Sequence, residues 1–139
     1  MSARLEKAGK IAIVLALFPI ALAGNSEPSA NTAPATKEVP FSRESIARGK
    51  VFYARFCAEC HDPDGKGQID VIADATDLTS PELWYSGTER EEVLISIRDG
   101  AGISMPGFKK EFTEEQLWDL VNFTQSLWPE PKRPPLQEE

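Results

Sequence analysis

The sequence predicts an all-α fold, and three observations predict it. Apolar residues recur at spacings of three and four in several stretches, and two threonine-led capping boxes stand ahead of such stretches. No run of alternating apolar and polar residues is long enough for a strand. Taken in order, Ile46, Gly49, Tyr53 and Phe56 share one face of a first helix that runs into Cys57. Ser80-Pro81 supplies a cap and a first-turn proline for a short second helix containing Leu83 and Trp84. Thr88 with Glu91 reads as the capping box of a third, with Val93, Leu94 and Ile97 on one side and Arg98 and Gly100 at its end. Thr113 with Gln116 opens a fourth. Its stripe is Leu117, Leu120, Val121, Thr124 and Leu127, and Pro129 stops it.

The flanks of this helical unit have a different character. Arg4, Lys7 and Lys10 precede an uninterrupted apolar run from Ile11 to Ala23, and Ala21-Leu22-Ala23 places small residues at the spacing a signal peptidase reads. That is the architecture of a secretory signal peptide over residues 1–23. A retained membrane anchor is the competing reading, but crossing a bilayer takes about 20 apolar residues, and Pro19 shortens the run. On either reading the remainder lies outside the cytoplasm. Residues 24–40 hold one large apolar side chain, Val39, and cannot offset their ordering entropy, so a disordered linker is expected. The proline-rich tail, residues 129–139, is expected to be disordered for the same reason. Residues 41–128 remain as the folded domain. With 15 basic against 22 acidic residues, net charge −7, the chain is no partner for nucleic acid and is steered toward positively charged protein surfaces. A domain this small buries a modest share of its surface, so something besides its own side chains is needed to complete the core.

Both cysteines and the single histidine lie between Cys57 and His61, in CAECH. A structural zinc site wants four ligands at paired spacings, and the chain has no Cys or His beyond these three. A thioredoxin-like C-x-x-C precedes a helix within a βαβ pattern, whereas this one ends a helix; a disulfide across it would close a loop too small to constrain the unfolded chain much. C-x-x-C-H is also the attachment pattern of c-type haem, and here it is complete. Cys57 and Cys60 can form thioethers to the two vinyl groups of one porphyrin edge, and His61 is then carried over the porphyrin face to the iron. Export agrees with this attachment, and the porphyrin's apolar area supplies the missing core. For the sixth iron position, a second histidine is excluded by count. Met105 is the one methionine left once Met1 departs with the signal peptide, and it lies in the loop GISMPGF, stiffened by Pro106. The alternative is a gap-filling methionine, a weaker explanation inside a loop flanked by glycines. Iron held by His61 and Met105 has no open position, which disfavours hydrolytic, oxygenase and peroxidase chemistry. Outer-sphere transfer of one electron is left, by an electron-transfer protein rather than an enzyme. Its partners are redox proteins that no motif names. A haem subunit held in a larger respiratory or photosynthetic membrane complex is the second reading.

From about Ser42 to Trp128 the chain resembles a bacterial class I c-type cytochrome. The likeness is carried by a first helix ending in C-x-x-C-H, Gly49 eight residues before Cys57, Tyr53 four before it, Phe123 in LVNFTQSL, and Met105-Pro106 with Phe108. It implies a small cytochrome c fold of about four helices wrapped around one covalently bound haem, in which Gly49 meets Phe123 at a helix crossing. Leu78, Trp84, Pro106 and Phe108 are the implied haem-packing residues, and Trp84 or Tyr85 is a candidate donor to a propionate. It also implies a backbone carbonyl that accepts the imidazole N–H of His61. Relatives place a proline there, but Pro63 is too near and Pro81 rather far, and a carbonyl around Ile69 to Val71 is the expected acceptor.

Overall fold

Ser42 opens the first helix, α1 (Arg43–Phe56), by accepting the Ser45 amide on its hydroxyl at 3.3 Å. The computed structural model describes residues 37–67 and 75–137, which fall within one unit, Pro34–Glu139. The signal-peptide reading of residues 1–23 and most of the linker lie outside the described residues. The backbone breaks at Cys57 and takes one further turn, α2 (Ala58–His61). Two longer helices follow, α3 (Arg90–Asp99) and α4 (Glu114–Ser126). Among the described residues there is no strand, only an isolated antiparallel bridge between Ala101 and Met105. The fold is all-α.

Three boundaries depart from the sequence reading. The element at Ser80-Pro81 is a single 3-10 turn, Pro81–Leu83, because the Trp84 amide bonds back to Pro81 O at 3.2 Å and the chain then extends. The capping box of α3 uses Glu89 and Glu92 rather than Thr88 and Glu91, the Glu89 amide donating to Glu92 Oε2 at 2.9 Å. Thr88 is engaged elsewhere, its carbonyl accepting Gln125 Nε2 at 3.1 Å. Gly87 leaves the space: a Cβ there would lie 2.0 Å from the Glu92 carboxylate. The tail is the third correction, since residues 129–137 are placed against the domain rather than disordered. Glu130–Lys132 forms a 3-10 turn, Arg133 Nε donates to Trp128 O at 2.5 Å, and the Gln137 amide donates to Phe41 O at 2.9 Å. Its prolines restrict the unfolded chain as much as the folded one, which lowers the entropy that ordering costs.

The core is the crossing of α1 on α4. A Cβ on Gly49 would stand 2.0 Å from Asp119 O and 2.9 Å from Phe123 Cβ, so glycine is what lets the two backbones meet. One turn on, Tyr53 and Phe123 pack with ring centroids 4.8 Å apart. Helix α4 is buried continuously from Leu117 to Gln125, its polar residues included. Those polar side chains form one network. Asn122 Nδ2 donates to Ser45 Oγ (2.7 Å) and Pro40 O (2.8 Å), while Ser45 Oγ donates to Asp119 Oδ1 at 2.6 Å. Arg90 reaches in from α3 to Asn122 Oδ1 at 2.7 Å and to Val39 O at 2.7 Å. The crossing thereby fixes where α1 ends, and with it Cys57.

Candidate cofactor site

The end of α1 is turned by Tyr53 and Asp62. Asp62 adopts a left-handed conformation (φ 62°) that reverses the chain after His61, and the buried Tyr53 hydroxyl donates to its carbonyl at 2.6 Å. Burial, reinforced by Cys57, pushes the Tyr53 phenol up, so it remains a donor. The loop beyond is closed by two backbone bonds, Gly67 N to His61 O (3.1 Å) and Leu78 N to Gly65 O (2.6 Å). This closure delivers Thr76, whose carbonyl oxygen lies 3.1 Å from His61 Nδ1. A carbonyl only accepts, so Nδ1 carries the proton and Nε2 keeps its lone pair. The acceptor is therefore Thr76, not a carbonyl around Ile69 to Val71, which lie outside the described residues. Burial holds the imidazole below its ordinary pKa, opposed by that same bond.

Met105 is held with equal care. Its amide and carbonyl exchange hydrogen bonds with Ala101 at 3.3 and 3.2 Å, making the isolated bridge. The loop then folds back on the end of α3, with the Phe108 amide on Ile97 O at 3.0 Å and the Lys109 amide on Arg98 O at 3.1 Å. Phe108 stacks toward Phe112, which also receives Phe52 and Phe56 of α1 at 5.3 and 4.9 Å between centroids.

Cys57, Cys60, His61 and Met105 all line one cavity of about 370 Å³, within the range of small-molecule sites. Leu78, Trp84, Pro106 and Phe108 line it too. The sequence reading missed Phe56, Val93, Ile97, Leu120 and Thr124 as part of the same wall; all five were legible as helix-face residues but not as cavity lining. Tyr85 and Ile103, at the wall's outer edge, are fully exposed. Trp84 is spoken for: its indole N–H donates to Asp77 O at 3.2 Å, which corrects its candidacy as a propionate donor. Burial, and then Cys60, push the Cys57 thiol up to about 11. Among the described residues no three His, Cys, Asp or Glu side chains converge as an ion cage requires. An apolar cavity with two thiols and a presented imidazole nitrogen on its wall fits a porphyrin.

A family model described as cytochrome c oxidase, cbb3-type, subunit III matches residues 44–123, more than half of the chain. The chain belongs to this family of c-type cytochromes. Its cofactor is covalent haem c, and Cys57 and Cys60 stand at the C-x-x-C-H position. Among solved structures the cytochrome is similar to the Kuenenia stuttgartiensis reducing HAO-like protein complex Kustc0457/Kustc0458, with 23% identity, a TM-score of 0.61 and cover of 67% of this chain and 48% of that one. It is similar to cytochrome cL of Methylophaga aminisulfidivorans MPT at 17% identity and TM-score 0.52, covering 62% and 55%. The KustC0563 c-type cytochrome matches at 26% identity and TM-score 0.51, covering 58% of this chain and 98% of that one. Against the first two, this cytochrome spans about half the partner's length. No helix among the described residues is long and apolar enough to cross a membrane.

Proposed function

We propose that this cytochrome is an exported, periplasmic carrier of single electrons between redox proteins, with Cys57 and Cys60 holding the haem through thioethers and His61 and Met105 as the axial ligands. One observation carries the reading: a tautomer-fixed His61 and a loop-clamped Met105 share a cavity with both cysteines. Bound haem supplies a one-electron Fe(III)/Fe(II) couple. The chain's residues do the rest. Leu78, Trp84, Pro106 and Phe108 exclude water from the cavity, which favours the reduced state. The carbonyl of Thr76 keeps the imidazole in one orientation in both oxidation states. The exposed Tyr85 and Ile103 offer apolar area for brief docking at the cavity rim.

Met105→Ala tests the ligand set. It should abolish the weak far-red sulfur-to-iron band of the oxidised protein and let the reduced protein bind carbon monoxide at neutral pH; an unchanged band sinks the assignment. A second reading, a haem subunit within a larger membrane complex, is favoured by the family's description as an oxidase subunit. The size of the particle purified from native membranes and periplasm separates the two.

A further inference from the structure

The bond from His61 to Thr76 depends on a support that lies outside the cavity. Thr76 is followed by Asp77, and both ends of Asp77 are pinned. Its carboxylate accepts the Thr79 amide (2.8 Å), the Thr79 hydroxyl (2.6 Å) and the Ser80 hydroxyl (3.3 Å). Its carbonyl accepts the Trp84 indole N–H at 3.2 Å. With Asp77 fixed at both ends, the peptide before it has one orientation, and that peptide carries the oxygen facing His61 Nδ1 at 3.1 Å. Trp84 is itself held from behind. Its ring meets the buried Trp128 edge to face, centroids 5.3 Å apart and planes at 76°. Trp128 stands two residues beyond the end of α4, and its carbonyl receives Arg133 of the tail. The tail and the turn carrying Trp84 are joined again by the ion pair of Lys132 with Glu82, 2.5 Å apart at the surface.

We propose that Trp84 is a positioning residue for His61: its indole N–H, backed by Trp128, holds the Thr76 carbonyl on the imidazole and so sets how strongly His61 donates to the iron. The assignment rests on the reading of His61 as an axial ligand. Its physical content is simple. A carbonyl held firmly on Nδ1–H moves electron density toward Nε2, which favours the ferric state; a loosened carbonyl gives that density back and raises the reduction potential. Packing against haem is a different role, because it needs the ring of Trp84 and makes no use of the N–H.

Trp84→Phe keeps an aromatic ring and removes the donor, and it is read by redox titration together with deuterium exchange of the His61 Nδ1–H in the reduced holoprotein. The potential should rise, and exchange should quicken by roughly fivefold to tenfold, the loss of about one ordinary hydrogen bond's protection. A potential and an exchange rate both equal to wild type overturn the proposal. Phe52→Leu serves as the comparison, since Phe52 packs on Phe112 at 5.3 Å away from the cavity. It should lower the melting temperature and leave the potential in place; an equal upward shift there would mean that loosened packing is enough, which also overturns the proposal. If Trp84→Phe does not mature, Thr79→Val removes one bond from Asp77 and should move both readouts the same way by less, and no movement counts against it. Failure of the underlying reading looks different: wild-type holoprotein would lack iron-shifted resonances from the His61 ring.

Discussion

Asp119 is 1% exposed in the middle of α4, and its charge is matched atom by atom. Arg48 donates from Nε and Nη2 at 2.8 Å each, and Ser45 Oγ adds a third bond at 2.6 Å. Arg48→Ala leaves that carboxylate buried without its cation and should cost roughly 3 kcal/mol, read as a lower urea midpoint at unchanged slope. Arg48→Lys, which keeps the charge but not the two-pronged geometry, should cost less. Asp77 yields a pH prediction. Burial opposes its ionisation, but the bonds from Thr79 and Ser80 outweigh burial and hold the carboxyl below the usual range. A group depressed in the folded state contributes stability above its unfolded pKa of about 3.9 and loses it as pH falls toward the folded value. Asp77→Asn should therefore flatten the acid limb of a melting-temperature profile below about pH 4. Parallel limbs for variant and wild type would contradict this. Neither carboxylate announced its role in the sequence, where an Asp in a helix or loop reads as solvated surface.

At the scale of elements, the crossing of α1 and α4 was legible and the loops were not. Gly49, Tyr53 and Phe123 carry the crossing through the resemblance to class I c-type cytochromes, and helical period with the absence of a Cβ at Gly49 gives that likeness its physical ground. Gly49→Ala forces a methyl to within 2.0 Å of a backbone oxygen that cannot swing away, and should cost roughly 3 kcal/mol or more; a thermal melt of the holoprotein within a few degrees of wild type would refute it. The burial of Asn122 and Gln125 was not legible, since α4 shows an amphipathic stripe and only the arrival of Arg90 and the chain before Ser42 covers its polar side. Nor was the Thr76 acceptor, whose position depends on how Gly65 and Leu78 close the loop rather than on distance along the chain. The methionine loop was recognised by its residues but not by its anchor. A Cβ at Gly107 would lie 2.6 Å from Asp99 C and 2.8 Å from Arg98 O. Gly107→Ala should lift the loop from α3, so that carbon monoxide competes for the iron at neutral pH. Wild-type resistance to that ligand in the variant would show the loop tolerating the displacement.

Charge is a property of the whole molecule, and here it has a sign that chemistry can read. The chain carries 22 acidic and 15 basic residues. Of the basic ones, Arg48, Lys66, Arg90, Arg98, Lys109 and Lys132 each already face a carboxylate. Paired charges cancel within a few ångströms, so the field felt at a distance comes from the acidic excess. That field is screened over about 10 Å at 0.1 M salt, which makes it a term in encounter rates rather than in the strength of a docked contact. Two small one-electron reagents of opposite charge and similar driving force separate this field from everything else that sets the rate. Oxidation by a cationic cobalt complex should slow as salt rises from about 10 mM, where screening reaches about 30 Å, toward 1 M, where it is about 3 Å. Oxidation by an anionic iron cyanide complex should quicken over the same range. If neither rate moves with salt, the acidic excess does not govern approach. If both slopes reverse, the rim is basic despite the acidic whole, and the partner's docking face must be sought among negative surfaces instead.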